Sequence, residues 1–267
     1  MTRKTVAVLS AAALSTVFGS VSRATVYLSE PFTYSDGALE TVSSGLWEIN
    51  SGTGSKNVTS GKLVIDDATT SDYMAQYTGA ATVTAGAIYA SFKVNFASTD
   101  VPNSAGTYFA AFAGPKSGTS FSTDFRGRVG SFQSAADATA GKFELAISSD
   151  GATASSFTAW GTPLNFDTDY TVVEKYDIGT GVSTLWVNPT LETDTNVTNA
   201  GVAGAHTLGS WLWRVSSSTI DGDKTVDNLN VGDSFAAVVG GGTVPEPTTA
   251  GVLAAGGLAA MLRRRRA

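Results

Sequence analysis

Apolar and polar positions alternate one by one through the middle of the chain. Ile88, Ala90, Phe92, Val94 and Phe96 alternate with Tyr89, Ser91, Lys93 and Asn95. Phe143, Leu145 and Ile147 alternate with Glu144, Ala146 and Ser148, and Trp211, Trp213 and Val215 with Leu212 and Arg214. Successive side chains of a strand point to opposite faces, so this period predicts strands with one face buried. Shorter runs at 62–66, 108–112, 170–175, 184–188 and 227–231 continue the pattern. No sustained helical period interrupts it between residues 25 and 243. Turn chemistry separates the runs at Asp36-Gly37, Ser60-Gly61, Asp150-Gly151, Gly179-Thr180-Gly181 and Asp221-Gly222-Asp223. About a dozen short antiparallel strands, packed as a sandwich, are expected from typical strand and loop lengths.

Both ends depart from this pattern. Residues 1–24 carry Arg3 and Lys4, then an uncharged and mostly apolar stretch from Thr5 to Phe18, then Ser22-Arg23-Ala24. A positive start, an apolar run too short for a span and small residues before a cut predict a signal peptide removed after Ala24 by signal peptidase. At the other end, Ala250 to Leu262 is an apolar run without charge, and Arg263, Arg264, Arg265 and Arg266 follow at once. Four adjacent cations resist transfer and hold the cytoplasmic side, so the tail is expected to cross once with its C-terminus inside. Val239-Gly240-Gly241-Gly242-Thr243 reads as a flexible tether before it.

The 267-residue chain has no cysteine, which excludes disulfides, thiolate metal sites and cysteine nucleophiles. Its net charge of −6 conceals an asymmetry: residues 25–243 hold 10 basic and 22 acidic residues, or −12. A domain so acidic is repelled by nucleic acid, and no phosphate loop or basic stripe appears, so no nucleic-acid partner is expected.

Val244-Pro245-Glu246-Pro247, the short apolar segment and the terminal Arg cluster together resemble the PEP-CTERM sorting signal, over about the last 24 residues. The resemblance implies an exported protein of a Gram-negative-type bacterium that makes extracellular polysaccharide. It also implies an exosortase that recognises Pro245, Glu246 and Pro247 and removes the tail, with transient membrane insertion beforehand. The two prolines fix φ and favour the extended backbone that a protease cleft takes. Three further stretches, at 30–39, 170–190 and 226–238, resemble laminin-G-like and concanavalin-like jelly rolls. In that pattern a strand ends in the Trp186-Val187-Asn188-Pro189 turn, and the closing strand 226–238 lies beside the opening one. The resulting organisation is a signal peptide at 1–24, an all-β, antiparallel two-sheet jelly-roll sandwich at 25–238, a glycine-rich linker at 239–243 and a sorting segment at 244–267. A signal helix and a short transmembrane helix flank the sandwich.

Catalytic constellations are absent from the sequence. Glu192-Thr193-Asp194 follows Pro189 and reads as loop, and Glu174 and Asp177 should point to opposite faces of a strand. His206, the only histidine, reads as a turn or surface residue, with no nucleophile elbow to serve. Asp221, Asp223 and Asp227 are a candidate oxygen set for calcium, with Asp66, Asp67 and Asp72 a second; neither forms a full calcium loop, and turn chemistry is the plainer reading. Trp186 alternates with Leu185 and Val187 and is the candidate exposed aromatic for sugar stacking, while Trp211 and Trp213 share a face and should be core. These features predict a non-catalytic, exported envelope or matrix protein associated with extracellular polysaccharide. An adhesive protein that binds protein partners is the alternative, and a glycan hydrolase or lyase is a third reading.

Overall fold

The computed structural model describes residues 24–216 and 222–240. The expected signal segment up to residue 23, the sorting residues Val244 to Pro247, the expected transmembrane segment, Arg263 to Arg266 and Asp221 lie outside the described residues. Among the described residues no helix is long and apolar enough to cross a membrane.

The chain opens with β1 (Val26–Glu30), β2 (Gly37–Ala38), a single helical turn α1 (Leu39–Val42), β3 (Trp47–Ser51), β4 (Asn57–Thr59), β5 (Lys62–Ile65) and β6 (Asp72–Gln76). Long alternating strands follow: β7 (Ala87–Phe96), β8 (Thr107–Ala113) and β9 (Phe125–Phe132). Helix α2 (Ala135–Ala140) interrupts them, because Ser134 and Asp137 close a reciprocal capping box at its start. Next come β10 (Lys142–Ser148), β11 (Thr158–Ala159), β12 (Leu164–Asn165), β13 (Tyr170–Asp177) and β14 (Val182–Val187). The last elements are β15 (Val197–Ala200), β16 (Ser210–Trp213), β17 (Lys224–Gly232) and helix α3 (Phe235–Val239).

Every strand pair is antiparallel. One sheet runs β15-β14-β13-β7-β17-β5-β4-β2, with β1 also on β17; the other runs β11-β10-β9-β8-β16-β6-β3, with β12 on β10. The opening strand does lie beside the closing one, Leu28 opposite Val231 and Glu30 opposite Leu229. The result is the expected two-sheet jelly-roll sandwich. Its core forms where the inner faces meet: Phe92, Phe96, Val172 and Tyr176 from the first sheet against Phe109, Phe112, Phe143, Trp211 and Trp213 from the second. Phe92 packs edge-on against Trp213 at 5.1 Å between centroids, and Trp211 and Trp213 face inward together as expected. Aromatic contacts of this kind add to the area term that drives burial.

One expected strand is corrected. The stretch 226–238 is a strand only as far as Gly232, and α3 takes over at Phe235. The Ser234 hydroxyl accepts from the Ala237 N–H at 3.3 Å, and this cap starts the turn. Phe235, Ala237 and Val238 then fold back onto the outer face of the first sheet. Val239, the first residue of the expected linker, is the last residue of α3.

Candidate functional site

The outer face of the second sheet carries the feature with the shape of a binding site. Val129 in β9 and Leu145 and Ile147 in β10 point into the core, so Arg128, Gly130 and Phe132, with Glu144, Ala146 and Ser148, line the opposite face. Hydrogen-bonded register places Tyr108, Gly130, Ala146 and Ala159 in one row across β8, β9, β10 and β11. Three small residues in a row leave a trough. It is a pocket of about 160 Å³ walled by Phe132, Phe157 and the segment Ser104 to Thr107. A Cβ on Gly130 would come within 2.8 Å of the Phe157 ring and 2.7 Å of the Thr107 carbonyl oxygen, so glycine is required for this floor. No charged side chain lines the pocket.

Two arginines stand at the Tyr108 end. The Arg214 guanidinium carbon lies 4.4 Å from the Tyr108 ring centroid and that of Arg128 5.2 Å from it. Nη1 of Arg214 donates to Oγ1 of Thr107 at 2.9 Å and to the Tyr108 carbonyl at 3.2 Å. Nη1 of Arg128 donates to the Asp150 carbonyl, while its buried Nε has no hydrogen-bond partner. Burial pushes the Arg128 guanidinium below its ordinary value. Beyond the arginines the face is apolar, with Met74, Ala111 and Leu212 packed by Phe121, Phe125 and Phe157.

The residues singled out from sequence fall elsewhere. Trp186 is on the outer face of the first sheet, as its alternation implies, but it is only 3% exposed. Phe235 of α3 covers it, with ring centroids 5.7 Å apart, and its Nε1 donates to the Glu192 carbonyl at 3.2 Å. A sugar has no access to that ring, so Trp186 is not an exposed binding aromatic. Of the two candidate oxygen sets for calcium, the structure takes one member from each: carboxylates of Asp67, Asp100 and Asp223 lie within 4.8 Å of one another. Asp227 instead accepts from the backbone and side chain of its neighbour Asn228, at 2.7 and 2.9 Å, and Asp66 pairs with Lys56 at 3.0 Å. Asp72 accepts from the Val215 N–H at 3.0 Å. Burial, then the Asp100 charge, holds the Asp223 carboxyl above its ordinary value. Three carboxylates fall short of the about six to eight oxygens calcium takes. Ala24 is the first described residue and is exposed.

His206 is in the 201–207 loop, yet it is tied down. Its Nδ1 lies 3.0 Å from the Asp124 carboxylate, the Arg126 Nε lies 3.2 Å from the same nitrogen, and Arg126 pairs with Asp124 at 2.7 Å. This network pins the 201–207 loop to the start of β9. Asp194 binds the Thr190 and Leu191 amides at 2.7 and 2.9 Å, which confirms a loop there. Glu174 faces the core and Asp177 does not, as the odd spacing requires. Sequence reasoning missed the trough. The signals that mark it are Gly130 inside an otherwise β-prone run, Arg128 beside it, and Arg214 just after β16.

Residues 243–266 match the PEP-CTERM protein-sorting motif. The match marks the chain as an exported protein with a C-terminal membrane-anchoring signal directed to an exosortase. No curated protein matches the chain in sequence. Among solved structures it is similar to a seed lectin of Lotus tetragonolobus, at 11% identity and TM-score 0.46, over 78% of this chain and 96% of that one. It is also similar to the CBM2 module of an evolved Dit protein of Lactobacillus casei BL23 phage J-1, at 11% identity and TM-score 0.46, over 79% and 96%. A third is the alginate lyase vAL-1 of a Chlorella virus, at 13% identity and TM-score 0.43, over 74% and 98%. At such identities no ligand transfers from these proteins to this chain.

Proposed function

We propose that this protein is a non-catalytic component of the cell envelope or extracellular matrix of a Gram-negative-type bacterium, which holds extracellular polysaccharide in the trough across β8 to β11. The trough itself carries the reading: a row of small residues between Phe132 and Phe157. At about 160 Å³ it takes one ring-sized group, smaller than the ~300 Å³ of a self-contained small-molecule site. That suits a polymer presenting one unit at a time. The lining contains no carboxylate, so the paired acids that glycan hydrolysis needs are not supplied there. Among the described residues the exposed large apolar side chains are few: Leu46 and Ile49 around the start of β3, and Leu191 and Val202 in two loops. Protein purified from its host and passed over immobilised host exopolysaccharide should be retained and should leave the chain length of the polymer unchanged. Passage without retention would remove the binding role, and shortening of the polymer would make the protein an enzyme.

A further inference from the structure

The electrostatics beside the trough narrow the ligand further, on the condition that the polysaccharide reading holds. The domain has 22 acids and 10 basic residues between positions 25 and 243. In so acidic a domain a cation is expected to find a carboxylate, and Lys56, Lys62, Lys116, Arg126 and Lys175 do. Arg128 and Arg214, like Lys93 and Lys142, form no ion pair within 4.0 Å among the described residues, but unlike those lysines they sit together over one tyrosine ring. Arg128 is 8% exposed and its Nε is unpartnered. Burial of a cation is costly; the Asp150 charge offsets part of that cost for Arg128, and a bound anion would offset more. Arg214 is the more open of the two. Its Nη1 donates to Oγ1 of Thr107, a residue that also lines the pocket, so its guanidinium stands next to the pocket wall.

We propose that the trough selects an acidic sugar unit of the polysaccharide, with the carboxylate of a uronate gripped by Arg214 and Arg128 placed behind it as a second positive charge. The planar guanidinium fork matches a carboxylate in shape as well as charge. The uncharged pocket floor of Gly130, Ala146 and Ala159 takes the pyranose ring beside it. The net negative charge of the domain does not prevent this, because charges farther than about 8 Å are largely screened at physiological ionic strength.

The test uses the full-length protein and three forms of the host exopolysaccharide: native, carboxyl-reduced and desulfated. Titration calorimetry should show binding to the native and desulfated forms and a loss of about tenfold or more on carboxyl reduction, the size expected for a charge-assisted pair. Arg214→Ala should lose affinity for the native polymer by a similar factor, Arg214→Lys by less, and both should melt within a few degrees of the wild type. Equal affinity for native and carboxyl-reduced polymer overturns the inference and leaves the polysaccharide reading standing. So does a loss caused by desulfation alone, or full affinity in a folded Arg214→Ala protein. Binding to none of the three forms overturns both.

Discussion

Glu174 and Gly127 face one another across the interior of the sandwich, and a Cβ on Gly127 would lie 3.3 Å from Oε2 of Glu174. The glutamate is fully buried on the inner face of β13, and neither carboxylate oxygen has a hydrogen-bond partner. Burial holds its carboxyl well above the ordinary value. The sign follows by linkage. A folded pKa above the unfolded ~4.3 means that the stability tied to the protonated form is complete below about pH 4.3 and is lost as pH rises through the folded value. Glu174→Gln should therefore gain on the wild type in urea unfolding as pH is raised from 4 to 8, and Glu174→Met should be more stable at pH 7 by about 1–3 kcal/mol. A constant difference across that range would contradict the assignment. Gly127→Ala should act in the opposite direction, because its φ of 59° strains any side chain and the Phe112 ring lies 2.9 Å from the added Cβ.

Trp186 is a staple for α3 rather than a sugar platform. Trp186→Ala should lower stability by about 3–5 kcal/mol, the usual loss for emptying a large aromatic site. Trp186→Phe should lose less. The phenylalanine variant should bind host polysaccharide with wild-type affinity in calorimetry; a tenfold loss in a folded Trp186→Phe protein would return the residue to the binding site.

Asp223 is crowded by Asp100 and Asp67, and its carboxyl is raised by burial and by that charge. Stability tied to its protonated form is present below about pH 3.9 and declines as pH rises through the raised folded value. In a chelator-containing buffer at pH 7, Asp223→Asn should melt a few degrees higher than the wild type, and the gain should vanish near pH 3. A lower melting temperature for the variant at pH 7 would show that the carboxylate is stabilising there.

Processing makes a separate prediction. Intact mass spectrometry of protein from its host should find Thr25 at the N-terminus and no Arg263 to Arg266, while a Pro245→Ala, Pro247→Ala double variant should keep its arginines and remain in the membrane fraction. Mature wild-type protein that retained the arginine cluster would contradict exosortase processing.

The sandwich was legible because burial on one face of a strand writes itself into the sequence at period 2. The alternation at 88–96 and 143–147 reproduces β7 and β10 to within a residue or two. α3 was not legible in that way. Its five residues are too few to show a helical period, and only the Ser234 cap distinguishes them from the end of a strand. Trp186 shows a second limit: alternation gives the face a side chain points to, not what later packs over that face. The trough depends on the register of four strands and on small residues far apart in sequence, Gly130, Ala146 and Ala159. Pairing partners at such separations leave no local period, whereas the sorting segment is contiguous and is read directly.

Ala159 offers the most direct access to the central claim, because it lies at the edge of the trough on β11, half-buried and paired with Ala146. Ala159→Phe places a ring where the sugar is expected without opening the core. Calorimetric titration of host exopolysaccharide into wild-type and variant protein should show a loss of affinity of about tenfold or more with a melting temperature within a few degrees of wild type, since about 1.4 kcal/mol of lost contact corresponds to that factor. Unchanged affinity in the folded variant would place polysaccharide elsewhere on the molecule and contradict the account.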